Sequence, residues 1–255
     1  MSRQEDLAES QQSLTEHLRE LRTRIIKALY GILIGAIICY NYVEQIMLYI
    51  RAPIERHLQG GGLVFTAPAD KFIAYLKVAV FCGFIVATPW WLYQAWKFVA
   101  PGLYAKEKKY SLAFIFSGSV LYIAGVVFGY FLALPAAFDF LMMFGDGTDK
   151  PMITIDHYLS FFTTMLLVFG LAFELPLIIV ILGMLGFVSQ DFLRKNRRYM
   201  VVILAIASAI LTPTPDAISM FTLLIPLYIL FEISIFFVGF FEKKAEEPAD
   251  ERPRT

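Results

Sequence analysis

The sequence predicts an all-α protein that crosses a membrane several times, and its composition is the first observation that indicates this. Of 255 residues, 58% are hydrophobic and 17% are charged, whereas soluble domains are about 45–50% apolar and about 25% charged. The mean hydropathy is +0.63. A soluble protein of 29.0 kDa has too little interior to bury so many apolar side chains. The chain is therefore predicted to be a polytopic membrane protein.

The grouping of the apolar residues into six runs is the second observation. The runs are bounded by charged residues, proline or glycine, and they cover residues 25–43, 72–98, 111–138, 158–187, 199–211 and 217–241. As a helix, the fifth run is only about 20 Å long, shorter than a hydrocarbon core of about 30 Å. Pro213 and Pro215 follow it, and proline ends a helix because it lacks an N–H donor. We therefore predict six membrane-spanning helices, of which the fifth is short.

Basic residues indicate the orientation of these helices. Seventeen of the 22 lysines and arginines lie in the N-terminal segment, around the connections between runs two and three and runs four and five, or after run six. The positive-inside rule places these segments in the cytoplasm. The chain is therefore expected to have both termini in the cytoplasm.

The segments flanking the runs complete the predicted organisation. Residues 1–12 are predicted to be a polar tail, and residues 13–24 an amphipathic helix on the cytoplasmic surface. Ser13 and Glu16 have the spacing of a capping box, and leucines at 14, 18 and 21 recur on one helical stripe. Residues 13–241 then form a single transmembrane domain. The charged residues 242–255 are predicted to be a disordered cytoplasmic tail.

Known catalytic motifs do not occur in the chain. It has no G-x-S-x-G, Walker A or H-E-x-x-H motif, and its three histidines are isolated from one another. Cys39 and Cys82 lie inside apolar runs, which excludes a disulfide scaffold, and no cluster has metal-ligand spacing. The protein is therefore predicted not to be an enzyme and to need no metal or cofactor. Lysine plus arginine equal aspartate plus glutamate at 22 each, so the net charge indicates nothing about partners. No nucleic-acid partner is predicted.

Three charged residues lie within the apolar runs and away from their ends, and these are candidate functional residues: Lys77, Glu174 and Glu232. A charge at the centre of a membrane helix costs about 2.5–3.5 kcal/mol on insertion scales, and such residues usually have a function. Lys77 lies about 9 Å and Glu174 about 24 Å from the external ends of their helices, so these two are not expected to pair. Glu174 is predicted to be functional. Glu232 is either functional or an interfacial residue near the end of the sixth helix.

Acidic residues stand out on the otherwise basic cytoplasmic side. Glu20 lies in the predicted surface helix, and Glu107 lies between lysines in the connection after the second run. One interpretation is that each pairs with its neighbours, Glu20 with Arg24 at i,i+4 and Glu107 with the flanking lysines. The other is that both bind a cationic ligand.

Sequence blocks spread over residues 14–241 resemble the TatC family, the multi-spanning receptor subunits of the twin-arginine protein translocase. The first is HLRELRTR at residues 17–24, just before the first span. The others follow in the family's order: residues 52–53 (AP), 89–104 (PWWLYQAWKFVAPGLY) with Glu107, 169–176 (FGLAFELP), 193–195 (LRK), 211–213 (LTP) with Asp216, 225–226 (IP) and 231–233 (FEI).

This resemblance implies a fold and a binding site. The fold would be six helices in a curved, cup-like bundle, with helices five and six short. The site would recognise the paired arginines in the signal peptide of a folded precursor protein at the cytoplasmic face. Glu20 and Glu107 would accept the two arginines, Arg22 and Phe98 would support or line the site, and Glu174 would face the concave side.

The resemblance also implies partners and a location. The chain would lie in the bacterial cytoplasmic (inner) membrane and drive export with the proton-motive force, together with single-span TatA- or TatB-like proteins and other copies of itself. Thr212, Asp216 and Met220 would contact the single-span partner. The 212–216 turn is one residue longer than the commoner Thr-Pro-Pro-Asp form, and Met220 replaces a residue that is polar in many relatives.

A different class remains as the alternative. A proton-coupled secondary transporter of small solutes could use Glu174 as its proton site. The chain shows no internal repeat and no glycine or proline break in paired helices, both of which many such transporters have. The sequence therefore favours the receptor.

Overall fold

Helices make up nearly all of the described structure. The computed structural model describes residues 3–55, 57–58, 62–102, 111–144, 152–212 and 216–246. Within these ranges the β-structure is one isolated bridge between Val64 and Thr154. The helices are α1 (Arg3–Tyr40), α2 (Val43–Glu55), α3 (Asp70–Val86), α4 (Thr88–Val99), α5 (Ser111–Phe128), α6 (Leu134–Met143), α7 (Ile155–Ala172), α8 (Leu175–Met184), α9 (Gln190–Lys195), α10 (Arg197–Leu211) and α11 (Ala217–Glu246).

The lengths and composition of these helices confirm an all-α polytopic membrane protein. Four described stretches are long and apolar enough to cross a membrane: Thr15–Tyr40, Ser111–Met143, Ile155–Met184 and Ala217–Phe240. The pair α3 and α4 is a further candidate span, although the two helices meet at a bend of 58°. Helix α10 has 15 residues, about 22 Å, so the fifth helix is short as predicted.

The sixth helix is not short, contrary to what the resemblance implied. Helix α11 has 30 residues and is therefore about 45 Å long. It continues through Pro226 because Leu223, Leu227 and Phe231 on either side are buried, and such packing outweighs the one hydrogen bond that proline removes. Beyond residue 241 the sequence EKKAE consists of good helix formers, so the helix extends five residues into the predicted tail.

The N-terminal helix also differs from its predicted boundaries. It begins at Arg3 rather than at residue 13 and runs without interruption to Tyr40. No glycine or proline occurs between Arg3 and Tyr30, and this stretch is rich in Glu, Gln, Leu and Arg, which are strong helix formers. The predicted surface helix and the first span are thus one continuous helix.

The chain divides into two compact units. Unit 1 comprises Met1–Val43 and Ala79–Ser119, and unit 2 comprises Glu44–Val78 and Val120–Thr255. In unit 1, α1 packs against α4 and the end of α3. A Cβ on Gly35 would lie 2.8 Å from the carbonyl oxygen of Gly83, so the two backbones touch. The Trp90 indole lies against Gly31, and its Nε1 donates to the carbonyl oxygen of Lys27 at 2.8 Å.

A proline separates α3 from α4, where the sequence had indicated one continuous run. Pro89 cannot donate a hydrogen bond to the carbonyl oxygen of Ile85, four residues earlier. The hydroxyl of Thr88 donates to that oxygen instead, at 2.7 Å. The substitution of a side-chain donor for a backbone donor keeps the bend hydrogen-bonded inside an apolar region.

In unit 2, helix α7 supplies much of the core. Its residues Phe162, Met165 and Phe169 are fully buried, and Gly125 of α5 lies against the Phe169 backbone. Two tyrosine hydroxyls hold α2 in this unit: Tyr130 donates to the carbonyl oxygen of Tyr49 at 2.8 Å, and Tyr158 donates to that of Ile50. Backbone hydrogen bonds of Val64 with Ile153 and Ile155 join the connection between α2 and α3 to the connection between α6 and α7.

The close contact at Gly35 predicts that a larger side chain there lowers the stability of the protein. The substitution Gly35→Ala would force its Cβ against the Gly83 carbonyl and should cost about 1–3 kcal/mol, which lowers the Tm in detergent by about 2–10 °C. The matched control is Gly62→Ala, because a Cβ there meets no atom within 4 Å. Equal Tm values for the two variants would show that α1 and α3 do not touch at this point.

Candidate functional site

Glu20 lies on α1 in a half-buried position, already paired with an arginine. Its Oε1 accepts a hydrogen bond from Nη2 of Arg24 at 2.9 Å, and the two side chains are 31% and 22% exposed. The predicted i,i+4 pair is therefore present. No described residue donates to Oε2 of Glu20. The carboxylate thus binds one guanidinium and has capacity for another.

The surface around this pair is an open groove of about 300 Å³. Its lining residues all lie on α1 and comprise two carboxylates, one threonine and three basic side chains: Glu16, Arg19, Glu20, Thr23, Arg24 and Lys27. Within it, Nε of Arg24 is buried without a hydrogen-bond partner among the described residues. The Arg24 guanidinium is therefore incompletely bonded, and an incoming guanidinium could share or replace it at the same carboxylate.

Phe98 lies at the end of α4 and stacks on His17 of α1. The two ring centroids are 4.4 Å apart and the rings are inclined by 22°. His17 precedes Glu20 by three residues, so both belong to one face of α1. Sequence reasoning did not single out His17. Its spacing of three residues from Glu20 within the HLRELRTR block was the signal that could have identified it.

Arg22 does not join this group. It is exposed and lies two residues after Glu20, about 200° around the helix, so it projects away from the face that carries Glu20 and His17. The structure therefore brings Glu20 and Phe98 to neighbouring parts of unit 1 and separates Arg22 from them. Glu107, the second predicted acceptor, lies outside the described residues.

Glu174 lies between α7 and α8 in unit 2. It is 5% exposed, and neither of its carboxyl oxygens has a hydrogen-bond partner among the described residues. Pro176, in the first turn of α8, cannot donate to residue 172, and this accounts for the interruption between the helices. Burial of an unpaired carboxyl costs free energy, so the Glu174 side chain does not stabilise the fold through a hydrogen bond or ion pair with a described residue.

Lys77 and Glu232 both have ion-pair partners, unlike Glu174. Lys77 Nζ donates to Asp156 at 2.5 Å and to Ser160 at 3.2 Å, so its partner is not Glu174, as predicted. Glu232 accepts from Arg197 at 2.7 Å and from the Tyr228 hydroxyl at 3.1 Å. Arg197 is the first residue of α10, which favours the interfacial interpretation of Glu232.

The predicted partner contacts lie where α10 ends and α11 begins. Thr212 is buried and donates to the carbonyl oxygen of Ser208 at 2.9 Å. Asp216 accepts from the backbone N–H of Ser219 at 2.7 Å and so caps α11. Both side chains thus form hydrogen bonds that stabilise the helix ends. Met220 is half-buried. Residues 213–215 of the turn lie outside the described residues.

No metal site is present among the described residues, since no three His, Cys, Asp or Glu side chains come together there.

Comparison with known proteins identifies the family. The family model for the Sec-independent protein translocase protein (TatC) matches residues 16–226. A protein of that name from Carboxydothermus hydrogenoformans is 42% identical, over 91% of this chain and 95% of its own length. Another from Desulforapulum autotrophicum is 38% identical, over 98% of this chain and 92% of its own length.

A solved structure agrees with these relatives. The crystal structure of the twin-arginine translocase receptor TatC superposes with a TM-score of 0.73 at 33% identity, and the match covers 88% of this chain and 98% of that one. The family model and the relatives cover nearly all of the chain, and the fold is the same. The chain therefore belongs to the TatC family of Sec-independent protein translocase proteins.

Proposed function

We propose that this chain is the receptor and core subunit of a twin-arginine translocase, and that it binds the paired-arginine signal peptide of folded precursors at the cytoplasmic face. The observation that supports this most directly is the Glu20 carboxylate, which already binds a guanidinium in an open groove. Membership of the TatC family supports the same function.

In this proposal Glu20 and Glu107 accept the two arginines. A guanidinium presents paired N–H donors that match the two oxygens of a carboxylate. Arg24 holds the Glu20 carboxylate in place until an arginine of the signal peptide shares or displaces it. Phe98 lines the site from α4. Arg22 is not assigned to the site, because it lies on another face of α1.

Two arginine contacts do not supply enough free energy for tight binding. A charge-assisted hydrogen bond contributes about 1.5–3 kcal/mol, and an exposed ion pair about 0–1 kcal/mol. A micromolar complex needs about 8 kcal/mol. The apolar segment of the signal peptide must therefore bind as well.

The continuation of the groove along α1 offers a surface for that segment. Tyr30, Ile34 and Ile38 follow Lys27 at helical spacing on the same face, and all three are more than half exposed. An extended apolar stripe thus begins where the charged groove ends. We assign the apolar part of the signal peptide to this stripe.

The remaining elements of the proposal concern the assembly. The chain works in the bacterial inner membrane, with both termini in the cytoplasm, and recruits single-span TatA- or TatB-like proteins and other copies of itself. The single-span partner contacts the region of Thr212, Asp216 and Met220. The proton-motive force drives transport, and the chain itself catalyses no reaction.

The solute-transporter alternative is not retained. The structure does contain breaks within candidate spans, at Ala87 and at Phe173–Glu174, so the expected absence of such breaks was wrong. These breaks follow from Pro89 and Pro176. Since the two prolines explain the breaks, the breaks give no support to transport of a small solute, and family membership favours the receptor.

Binding of a fluorescent signal peptide to the purified protein in detergent tests the two acceptors. Wild type should prefer an Arg-Arg peptide to a Lys-Lys peptide, and Glu20→Gln or Glu107→Gln should each weaken Arg-Arg binding about 10- to 100-fold, because one charge-assisted contact is lost. Glu44→Gln, which removes an exposed charge from unit 2, serves as the control and should bind like wild type. Equal binding of both peptides to wild type would refute the proposal.

Glu174 provides a second test, because a functional residue can be retained at a cost in stability. Replacing an unsatisfied buried carboxyl with an apolar side chain removes a penalty of about 1–3 kcal/mol. Glu174→Met should therefore raise the Tm in detergent by a few degrees and leave signal-peptide binding unchanged, while export in cells falls.

The matched control for this substitution is Glu232→Met. It removes the partner of Arg197 and should not raise the Tm. A lower Tm for Glu174→Met would mean that the Glu174 carboxyl stabilises the fold, and normal export would mean that transport does not need it.

A further inference from the structure

The proposed acceptors leave one question open, which is how the site distinguishes arginine from lysine. Both side chains carry one positive charge, so a carboxylate attracts both. They differ in shape and hydration: the guanidinium is planar, weakly hydrated and stacks on flat rings, whereas the ammonium is a compact and strongly hydrated point charge. A flat surface next to the carboxylate would therefore add to the preference for arginine that its paired N–H donors already give.

The structure contains such a surface next to Glu20. The imidazole of His17 stacks on the ring of Phe98 at 4.4 Å, nearly parallel to it, so the two rings form a double layer between α1 and α4. His17 is exposed to solvent, and Glu20 follows it by three residues on the same face of α1. A flat ring and a carboxylate thus lie side by side at the edge of the groove.

Tyr93, another aromatic residue of α4, already lies under a cation. The Lys97 ammonium lies over the Tyr93 ring, 4.5 Å from its centroid. Phe98 is covered by the His17 ring instead. The stack of His17 on Phe98 is therefore an available flat surface beside Glu20, whereas the Trp90 indole lies further along α1, against Gly31.

We infer that His17, held flat by Phe98, is a specificity-determining residue that stacks on a guanidinium of the signal peptide while Glu20 binds its N–H groups. This inference rests on the proposed receptor function and deepens it. Glu20 then contributes charge attraction and a match to the paired N–H donors of arginine, and the His17 ring adds to the preference for arginine over lysine.

The test compares His17→Ala, His17→Gln and His17→Phe with wild type, using Arg-Arg and Lys-Lys signal peptides. His17→Ala and His17→Gln lack the ring and should weaken Arg-Arg binding about 5- to 10-fold, while Lys-Lys binding changes less than about twofold. His17→Phe keeps a flat ring and should retain the preference of wild type. Leu18→Ala, which changes an exposed neighbour, should have no effect.

Each result has a distinct meaning. A smaller preference for Arg-Arg in His17→Ala and His17→Gln, with recovery in His17→Phe, supports the inference. A purely structural role for His17 predicts that both peptides weaken together, and that result would overturn it, as would an unchanged preference in His17→Ala and His17→Gln. If wild type shows no preference for Arg-Arg, the receptor function itself fails, whatever the variants do.

Discussion

The close contact of α1 with α3 and α4 is the constraint on which the proposed site depends. Gly35 and Gly83 allow the backbones to touch, and Trp90 reaches over Gly31 to a carbonyl oxygen of α1. This contact aligns α1 with α4 along their lengths, so that Phe98 at the end of α4 meets His17. The positions of the rings and of Glu20 thus follow from small residues and one indole deeper in unit 1.

A second feature of the molecule is that proline interrupts its long apolar helices. Pro89 and Pro176 each remove a hydrogen bond, but the chain responds differently at the two positions. Thr88 replaces the missing donor at the first, whereas the second is next to Glu174, whose buried carboxyl has no hydrogen-bond partner among the described residues. The carbonyl oxygen that Pro89 leaves without a backbone donor is thus hydrogen-bonded, whereas the break at Pro176 adjoins a buried acid. This difference is the reason to test Glu174 for a role in transport.

The sequence alone predicted the fold class, the short fifth helix and the separation of Lys77 from Glu174, since hydropathy and residue counts determine these. It did not predict the bend at Ala87, because an apolar run shows no interruption when a threonine side chain compensates for proline. It also missed His17, because stacking on Phe98 joins residues 81 positions apart. Helix α11 extended beyond its predicted end because charged residues with high helix propensity continue a helix that hydropathy ends.

Site-specific photocrosslinking to a precursor protein tests the central claim most directly, because it locates the signal peptide on α1 without removing any proposed contact. A photoreactive residue at Thr23 lies in the groove beside Glu20, whereas one at Arg22 lies on another face of the same helix. Our account predicts that an Arg-Arg precursor crosslinks from position 23 and not from position 22, and that a Lys-Lys precursor crosslinks weakly from both. Equal crosslinking from the two positions, or crosslinking from position 22 alone, would contradict it.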